Sequence, residues 1–337
     1  MKTLILIAML LGAQSARAQD SFPRQDDAAP LIRSTSTLVT VPAVVRLPTG
    51  EFEGSLNADQ FQLFDNGSRQ TVAEENAENL PIALVVLMQT GGAGAREFQN
   101  YMNLPITLDR IIGKSTHEIT LVTFDGQPRA IWHFPARSDG VVWALTHPHA
   151  GGQGAAIMDA VSFAVDQLQQ EPGRFRRIVL LLSQTEDEGS TSSPAEVIRK
   201  LGQGSTAVYS LTFPSTKSGS KHRSTRSGSA EPDHLSASFA AAVRAMGKNT
   251  AAEIALLSGG EHAGFTNERE FNSDILYLAD EIRNRYELAF QPNSHEPGFH
   301  ALSIQVDGQK GRLDVRGRSS YWFDATPRSG NGSVPPQ

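Results

Sequence analysis

The sequence of 337 residues contains no cysteine, which excludes disulfide bonds, thiolate metal sites and cysteine nucleophiles together. It also lacks an excess of positive charge, because 30 Lys and Arg side chains are set against 36 Asp and Glu for a net charge of −6. Binding to a nucleic-acid backbone depends on clustered Lys and Arg, so we expect no nucleic-acid partner. No apolar run approaches the roughly 20 residues of a membrane-spanning helix, so we also expect no membrane span.

The N-terminus has the features of an export signal. Lys2 is followed by the apolar run 4–11 and then by Ala16-Arg17-Ala18, a small-x-small cleavage pattern. Residues 1–18 are therefore predicted to be a cleaved signal peptide, followed by a flexible leader over 19–35. We expect the mature protein to be periplasmic or secreted.

The pattern of apolar residues in the rest of the chain predicts three structured parts. Strand-like stretches with a turn at Asp65-Asn66-Gly67 predict a small N-terminal β module over 36–77. Buried strands that alternate with helical stretches over 78–290 predict an α/β domain with a doubly wound, mostly parallel sheet. Residues 291–323 are predicted to form a C-terminal β hairpin, turning at Asp307-Gly308.

Two polar segments are predicted to lack fixed structure. Residues 214–233 are rich in Ser, Gly, Lys and Arg and predict a mobile loop within the α/β domain, and 324–337 predict a disordered tail. The basic residues of the loop could contact a polyanion. The loop also contains Glu231 and Asp233 and has no aromatic residue for base stacking, so a solubilising role is the favoured interpretation.

Five short stretches, in this order along the chain, carry a resemblance to a known family. They are Leu63-Phe64-Asp65-Asn66-Gly67, Pro81-Ile82-Ala83-Leu84-Val85-Val86-Leu87, Gly154-Ala155-Ala156-Ile157-Met158-Asp159-Ala160, Ile178-Val179-Leu180-Leu181-Leu182-Ser183 and Arg285-Tyr286-Glu287-Leu288-Ala289-Phe290. Their order resembles that of the von Willebrand factor type A-related proteins of the acidobacterial type. The resemblance covers most of 36–322 and implies a doubly wound sheet whose ligands bind at the carboxyl ends of its strands.

In type A domains that position usually holds Mg²⁺, bound by an Asp-x-Ser-x-Ser loop, a Thr and a further Asp. The resemblance aligns the first loop with Gln89-Thr90-Gly91-Gly92-Ala93, the Thr with Ala155 and the last Asp with Gln184. Glycine and alanine side chains offer no donor, and a glutamine oxygen brings no negative charge. Since Mg²⁺ gives up its water reluctantly, we expect no metal and no other cofactor.

Two interpretations of the glutamines remain open at this point. Gln89 and Gln184, on neighbouring loops, could form a neutral hydrogen-bonding patch for a partner. Alternatively, the two amides could satisfy each other or the loop backbone, as buried polar groups normally do.

Other candidate sites are weaker. Glu186-Asp187-Glu188 could supply a replacement cation site, but consecutive acids usually form a solvated loop. His147-Pro148-His149 lacks the third ligand that zinc needs, and is interpreted as a surface loop. Trp132, Trp143 and Trp322 are interpreted as packing residues, and Asp159 as a helix residue that orients a loop.

The sequence therefore predicts a non-enzymatic, exported module that binds a protein partner without a metal ion. The predicted partner-binding residues are Gln89, Thr90, Gly91, Gly92, Ala93, Ala155, Gln184, Thr185 and Glu186. One alternative is a metal-dependent adhesion domain with ligands such as Asp159 and Glu186. Another is an exported hydrolase, for which the sequence shows no nucleophile–base motif and no phosphate-binding loop.

Overall fold

The computed structural model describes residues 38–75, 80–134, 140–171, 175–215, 237–306 and 313–324. The strands are β1 (Val39–Arg46), β2 (Phe61–Asp65), β3 (Ser68–Gln70), β4 (Val72–Glu75), β5 (Ile82–Gln89), β6 (His117–Phe124), β7 (Pro128–Phe134), β8 (Arg176–Gln184), β9 (Thr206–Phe213), β10 (His262–Gly264), β11 (Tyr286–Phe290), β12 (Gly298–Val306), β13 (Asp314–Gly317) and β14 (Ser320–Phe323). The α-helices are α1 (Leu104–Ile112), α2 (Gly140–Thr146), α3 (Ile157–Gln170), α4 (Pro194–Gln203), α5 (Ala237–Met246), α6 (Thr250–Ser258) and α7 (Glu268–Arg283), and 3₁₀ helices span Ala58–Gln60 and Gly94–Tyr101.

The six-stranded sheet has the order β10-β9-β8-β5-β6-β7, in which only the edge strand β7 runs antiparallel to its neighbour. The chain winds outward from β5 in one direction and then, from β8, in the other. This is the predicted doubly wound α/β fold. It places the switch in winding direction between β5 and β8, whose carboxyl ends lie side by side.

Strand β5 shows why the helices cover both sides of this sheet. All eight of its residues are buried. Its alternate side chains enter two separate apolar clusters, one with α1 and α7 and the other with α3, α4 and α6. A strand that is buried on both faces has a continuous apolar sequence, so the run 82–88 was recognisable as central.

Local sequence sets the ends of several helices. Ser193 and Glu196 form a capping box at the start of α4, with Pro194 in the first turn. Pro105 lies in the first turn of α1, where its missing N–H costs the helix no hydrogen bond. Gly259 ends α6 in the left-handed conformation at φ 82°.

The β strands outside the six-stranded sheet form two four-stranded sheets, β13-β1-β11-β4 and β14-β12-β2-β3. Each of them combines two strands from the N-terminal part of the chain with two from the C-terminal part. The predicted C-terminal hairpin over 291–323 is therefore wrong in its pairing. Strand β12 pairs with β2 and β14, while β13 pairs with β1 in the other sheet. Strand β11, predicted as the last strand of the α/β domain at 290, pairs with β1 and β4 instead.

A cluster of buried charges lies where the β sheets meet the α/β part. The Arg176 and Arg285 side chains are 7% and 3% exposed, and both lie next to the Glu287 carboxylate, 4% exposed. The Arg285 Nη1 also donates to the Tyr209 hydroxyl at 3.2 Å. Burial lowers the pKa of Arg176 to about 10, with the positive charge of Arg285 adding to the effect.

Several predictions fall on other parts of the chain. The signal peptide 1–18, the leader 19–35, nearly all of the loop 214–233 and the tail beyond 324 lie outside the described residues. Among the helices that the structure describes, none combines the length and the apolar character needed to cross a bilayer.

Candidate functional site

The carboxyl ends of β5, β6 and β8 meet at one edge of the parallel sheet, which we call the carboxyl edge. Four connecting segments form it, over 90–94, 125–127, 150–156 and 185–192. All nine predicted partner-binding residues lie at this edge, on the last residues of β5 and β8 or in these segments.

Gln89 and Gln184 face each other across β5 and β8. The Gln89 Nε2 donates to Gln184 Oε1 at 3.2 Å and to Gly91 O at 3.0 Å. The Gln89 Oε1 accepts from the Gln184 backbone N–H at 2.8 Å, and Gln184 Nε2 donates to Glu186 O at 2.9 Å. The amides thus satisfy each other and the loop backbone, which was the alternative to an open hydrogen-bonding patch.

Most of the predicted contact residues are buried at the carboxyl edge. Gln89 and Ala155 are 0% exposed, Thr90 2% and Gln184 5%. Of the nine, Gly92 is exposed and Thr185 and Glu186 are partly exposed, whereas the rest are buried. A partner that approaches this edge would therefore touch the rims of the loops and not the amide pair itself.

The loop after β5 is too tightly packed to hold a side chain at position 91. A β-carbon built on Gly91 would lie 2.3 Å from the Asp125 Cβ and 2.8 Å from the Gly154 carbonyl oxygen. Asp125, at the end of β6, therefore fills the space that a serine at position 91 would need. The backbone of this loop therefore excludes a serine at position 91 in the conformation observed.

The acids of the 185–192 segment hold that segment against α3. Asp187 Oδ1 accepts from Met158 N at 3.0 Å and from Ser190 Oγ at 2.6 Å. Asp159 Oδ2 accepts from Thr191 N at 2.8 Å and Oδ1 from Ser192 N at 2.9 Å. Asp159 thus orients a loop, as predicted. No three His, Asp or Glu side chains converge as metal ligands anywhere in the described chain.

Replacing Asp159 by asparagine is expected to weaken this attachment. Burial raises the pKa of Asp159, but hydrogen bonds from Thr191 and Ser192 outweigh it, and the net pKa lies below the ordinary value of 3.8. A carboxyl whose pKa is lower in the folded state stabilises the protein above its unfolded pKa and loses that contribution in acid. We expect Asp159→Asn to lower the free energy of unfolding at pH 7 by about 1 kcal/mol, since the loop is partly solvated.

Urea unfolding of both proteins measures this effect, and the difference should shrink as the pH falls below about 4. Asp166→Asn is the matched control on the same helix, because the Asp166 side chain is 48% exposed and pairs with Lys200 at the surface. A loss of unfolding free energy that is independent of pH, or that is equal for Asp159→Asn and Asp166→Asn, would contradict the role given to Asp159.

An open pocket of about 600 Å³ lies at the carboxyl edge, beside the β6–β7 hairpin and α2. The sequence did not predict it. Trp132 on β7 and Trp143 on α2 line it and are 41% and 62% exposed, so the interpretation of these two residues as packing residues is wrong. Trp322 does pack, against Phe239 with ring centroids 5.8 Å apart. His147-Pro148-His149, predicted as a surface loop, lines the same pocket.

A buried acid holds an arginine at the mouth of this pocket. Arg129 Nε donates to Asp125 Oδ1 at 2.7 Å and to Oδ2 at 2.8 Å. Gly152 N donates to Asp125 Oδ2 at 2.8 Å, and Gln127 N to Oδ1 at 3.2 Å. Burial raises the pKa of Asp125, yet these hydrogen bonds outweigh it and the net pKa is lowered. The Asp125 side chain is 2% exposed, whereas that of Arg129 is 50% exposed.

Two clusters elsewhere have catalytic residue types. Ser210 Oγ lies 2.9 Å from His262 Nδ1, but Ser210 is 0% exposed and its hydroxyl donates to Ala251 O at 3.2 Å. Asp65 accepts hydrogen bonds from Tyr321 and contacts His300, both at 2.8 Å, and these side chains are buried between β2, β12 and β14. Both clusters join elements of the fold and face the interior.

Comparison with known proteins gives the following similarities. No protein-family model and no curated protein matches the sequence. Among solved structures, the chain is similar to von Willebrand factor type A from Catenulispora acidiphila, with 8% identity and a TM-score of 0.41 over 87% of this chain and 75% of that one. It is also similar to an aerotolerance-related membrane protein from Bacteroides fragilis, with 13% identity and a TM-score of 0.39 over 60% and 98% of the two chains. A third is the pilus adhesin SpaC from Lactobacillus rhamnosus GG, with 9% identity and a TM-score of 0.40 over 88% and 50%.

Proposed function

We propose that this protein is an exported, non-enzymatic interaction module of the type A kind that binds a protein partner at its carboxyl edge without a metal ion. The observation that carries the proposal is the Gln89–Gln184 pair, which closes the place where type A sheets hold a cation. Ligands of doubly wound sheets bind at this edge, because loops from both winding directions converge there.

The donor set at this edge does not fit a hard cation. Mg²⁺ needs near-octahedral oxygen ligands that include carboxylates, whereas the five aligned positions provide two amides committed to hydrogen bonds, one glycine and two alanines. Asp125, which packs against Gly91, is paired with Arg129 and carries two backbone hydrogen bonds in addition. We therefore assign no role to a metal ion.

The proposed location follows from the N-terminal sequence. A basic start, a short apolar run and Ala16-Arg17-Ala18 are the three parts of a secretory signal peptide. The absence of cysteine is compatible with an oxidising compartment, because the fold needs no disulfide there. A periplasmic or secreted protein would meet its partner in the cell envelope or outside the cell.

Crosslinking in an envelope extract tests the proposed function. The wild-type protein is compared with the double variant Glu186→Arg/Trp143→Arg, which changes one partly exposed residue of the carboxyl edge and one exposed residue of the pocket beside it. Glu51→Arg is the control, since it makes the same charge reversal at an exposed residue of the turn after β1. We expect one or more crosslinked proteins with the wild type and the control, reduced at least about tenfold with the double variant.

Capture of the same proteins by all three forms would overturn the proposed function, because the edge would then play no part in binding. Turnover of a substrate by the purified protein, abolished by one polar substitution, would favour the hydrolase alternative instead. The single variants Glu186→Arg and Trp143→Arg show whether the 185–192 segment or the pocket beside the edge carries the contact.

A further inference from the structure

We propose that the pocket beside the β6–β7 hairpin binds a short segment of the protein partner that carries a carboxylate next to an apolar or aromatic side chain. This inference rests on the proposed function and names the chemistry of the partner. The carboxylate would bind the Arg129 guanidinium, and the apolar side chain would pack on Trp132 and Trp143.

The distribution of tryptophan in the chain is the first argument. Two of the three tryptophans in the sequence line this one pocket, and both keep large parts of their rings in solvent. Leaving an indole exposed forgoes the stabilisation that comes from removing its apolar surface from water. Tryptophan and arginine are the residue types that dominate binding energy at protein interfaces, where they cluster in pockets.

The charge of the pocket is the second argument. Asp125 is the one acid among the described lining residues, and its two oxygens are taken up by Arg129, Gly152 and Gln127. This arrangement fixes the arginine side chain in place while half of that side chain stays exposed. A planar guanidinium matches the two oxygens of a carboxylate, and a fixed one loses little conformational entropy on binding.

The size of the pocket decides between a segment and a whole domain surface. Its volume of about 600 Å³ lies within the range of roughly 300–1,000 Å³ found for small-ligand sites. Such a volume holds a few side chains of an extended segment. The indole of Trp143 stacks on the His147 ring at an interplanar angle of 12°, so one wall of the pocket is already arranged in the free protein.

A phage-displayed library of random short peptides, selected on the immobilised full-length protein, is the probe. We expect the selected peptides to contain Asp or Glu within a residue or two of an aromatic, leucine or proline side chain. Binding of synthetic copies is then measured by fluorescence anisotropy. Trp143→Ala and Arg129→Gln should each weaken binding about tenfold or more. Replacing the peptide carboxylate by an amide should weaken binding to the wild-type protein by a similar factor. The same replacement should hardly change binding to Arg129→Gln, because the partner of the carboxylate is already absent there.

Two controls match these variants. Arg110 on α1 is 49% exposed and pairs with Asp280, much as Arg129 pairs with Asp125, so Arg110→Gln makes the same change away from the pocket. Ile106→Ala removes an exposed apolar side chain, 72% accessible, from the same helix α1. Neither control should change peptide binding. Because Asp125 is buried, Arg129→Gln is checked by thermal unfolding, and the peptide-side change tests the same contact in the intact protein.

The remaining outcomes show whether this inference, the proposed function or both are wrong. Peptides that bind equally well to Trp143→Ala and Arg129→Gln, or that lack acids, would overturn the pocket assignment. The proposed function would stand if partner crosslinking still depended on Glu186. Failure to select any peptide, with binding of a neutral saccharide lost in Trp143→Ala, would overturn the inference and identify a glycan site. Crosslinking that is unchanged by both Glu186→Arg and Trp143→Arg would overturn the proposed function as well.

Discussion

Replacing Glu287 by alanine is expected to lower the free energy of unfolding by about 3–5 kcal/mol, the usual cost of removing one partner from a buried ion pair. The Glu287 carboxylate lies next to both Arg176 and Arg285, and all three side chains are less than a tenth exposed. Without it, two guanidinium groups would remain buried with no described acid between them. Tyr209 cannot take over its role, because burial raises the pKa of its hydroxyl and keeps it neutral.

Urea unfolding followed by circular dichroism measures this loss, with Asp280→Ala as the matched control. Asp280 also pairs with an arginine, Arg110, at 2.7 Å, but its side chain is 37% exposed and that of Arg110 is 49% exposed. Exposed ion pairs contribute about 0–1 kcal/mol, so the control should unfold nearly like the wild type. Equal stability of the two variants would show that the Glu287 cluster contributes no more than a surface pair.

Replacing the whole cluster by apolar residues extends this prediction. The triple variant Arg176→Met/Arg285→Met/Glu287→Leu removes the buried charges together with the need to pair them. Buried ion pairs are often replaceable in this way without loss, because desolvation offsets most of their attraction. We expect the triple variant to be more stable than Glu287→Ala alone, which would place the cost on the uncompensated charges.

Much of the α/β part was predictable from sequence because its signals are local. The continuous apolar run at 82–88 is typical of a strand that is buried on both faces. Gly259 adopts the left-handed conformation in which glycine commonly ends a helix. The pairing of the outer strands has no such local signal. Strands β12 and β13 alternate polar and apolar residues much as a hairpin would. Their partners, β1 and β2, lie more than 200 residues earlier in the chain.

The strand order places the nine predicted partner-binding residues at one edge of the sheet, and their role in binding stays a prediction. Whether a side chain at that edge is exposed depends on how the loops pack, and residue spacing in the sequence does not predict this packing. Gln89 and Gln184 are polar and lie at strand ends, yet they are buried against each other. Trp143 is apolar and lies on a short helix, yet it is exposed.

Restoring a side chain to position 91 is expected to destabilise the carboxyl edge by about 3 kcal/mol, near the upper end of the usual cost of overpacking. The new β-carbon of Gly91→Ala would meet both the Asp125 Cβ at 2.3 Å and the Asp125 Cα at 2.8 Å. Asp125 cannot move away easily, since its carboxylate is fixed by Arg129 and by backbone N–H groups of Gly152 and Gln127. Gly54→Ala is the control, because a β-carbon there meets nothing within 4 Å.

The same contact determines what happens when the type A loop is rebuilt. The variant Gln89→Asp/Gly91→Ser/Ala93→Ser introduces the Asp-x-Ser-x-Ser pattern. If the ligand side chains alone determined binding, this variant would bind Mg²⁺. We expect calorimetric titration of this triple variant to show no heat of Mg²⁺ binding. We also expect its free energy of unfolding to fall at least as much as that of Gly91→Ala. The hydroxyl at 91 would have to occupy the space of Asp125. Sub-millimolar Mg²⁺ affinity in a stably folded triple variant would show that the loop can move aside, and that the absence of these ligands alone prevents this chain from binding Mg²⁺.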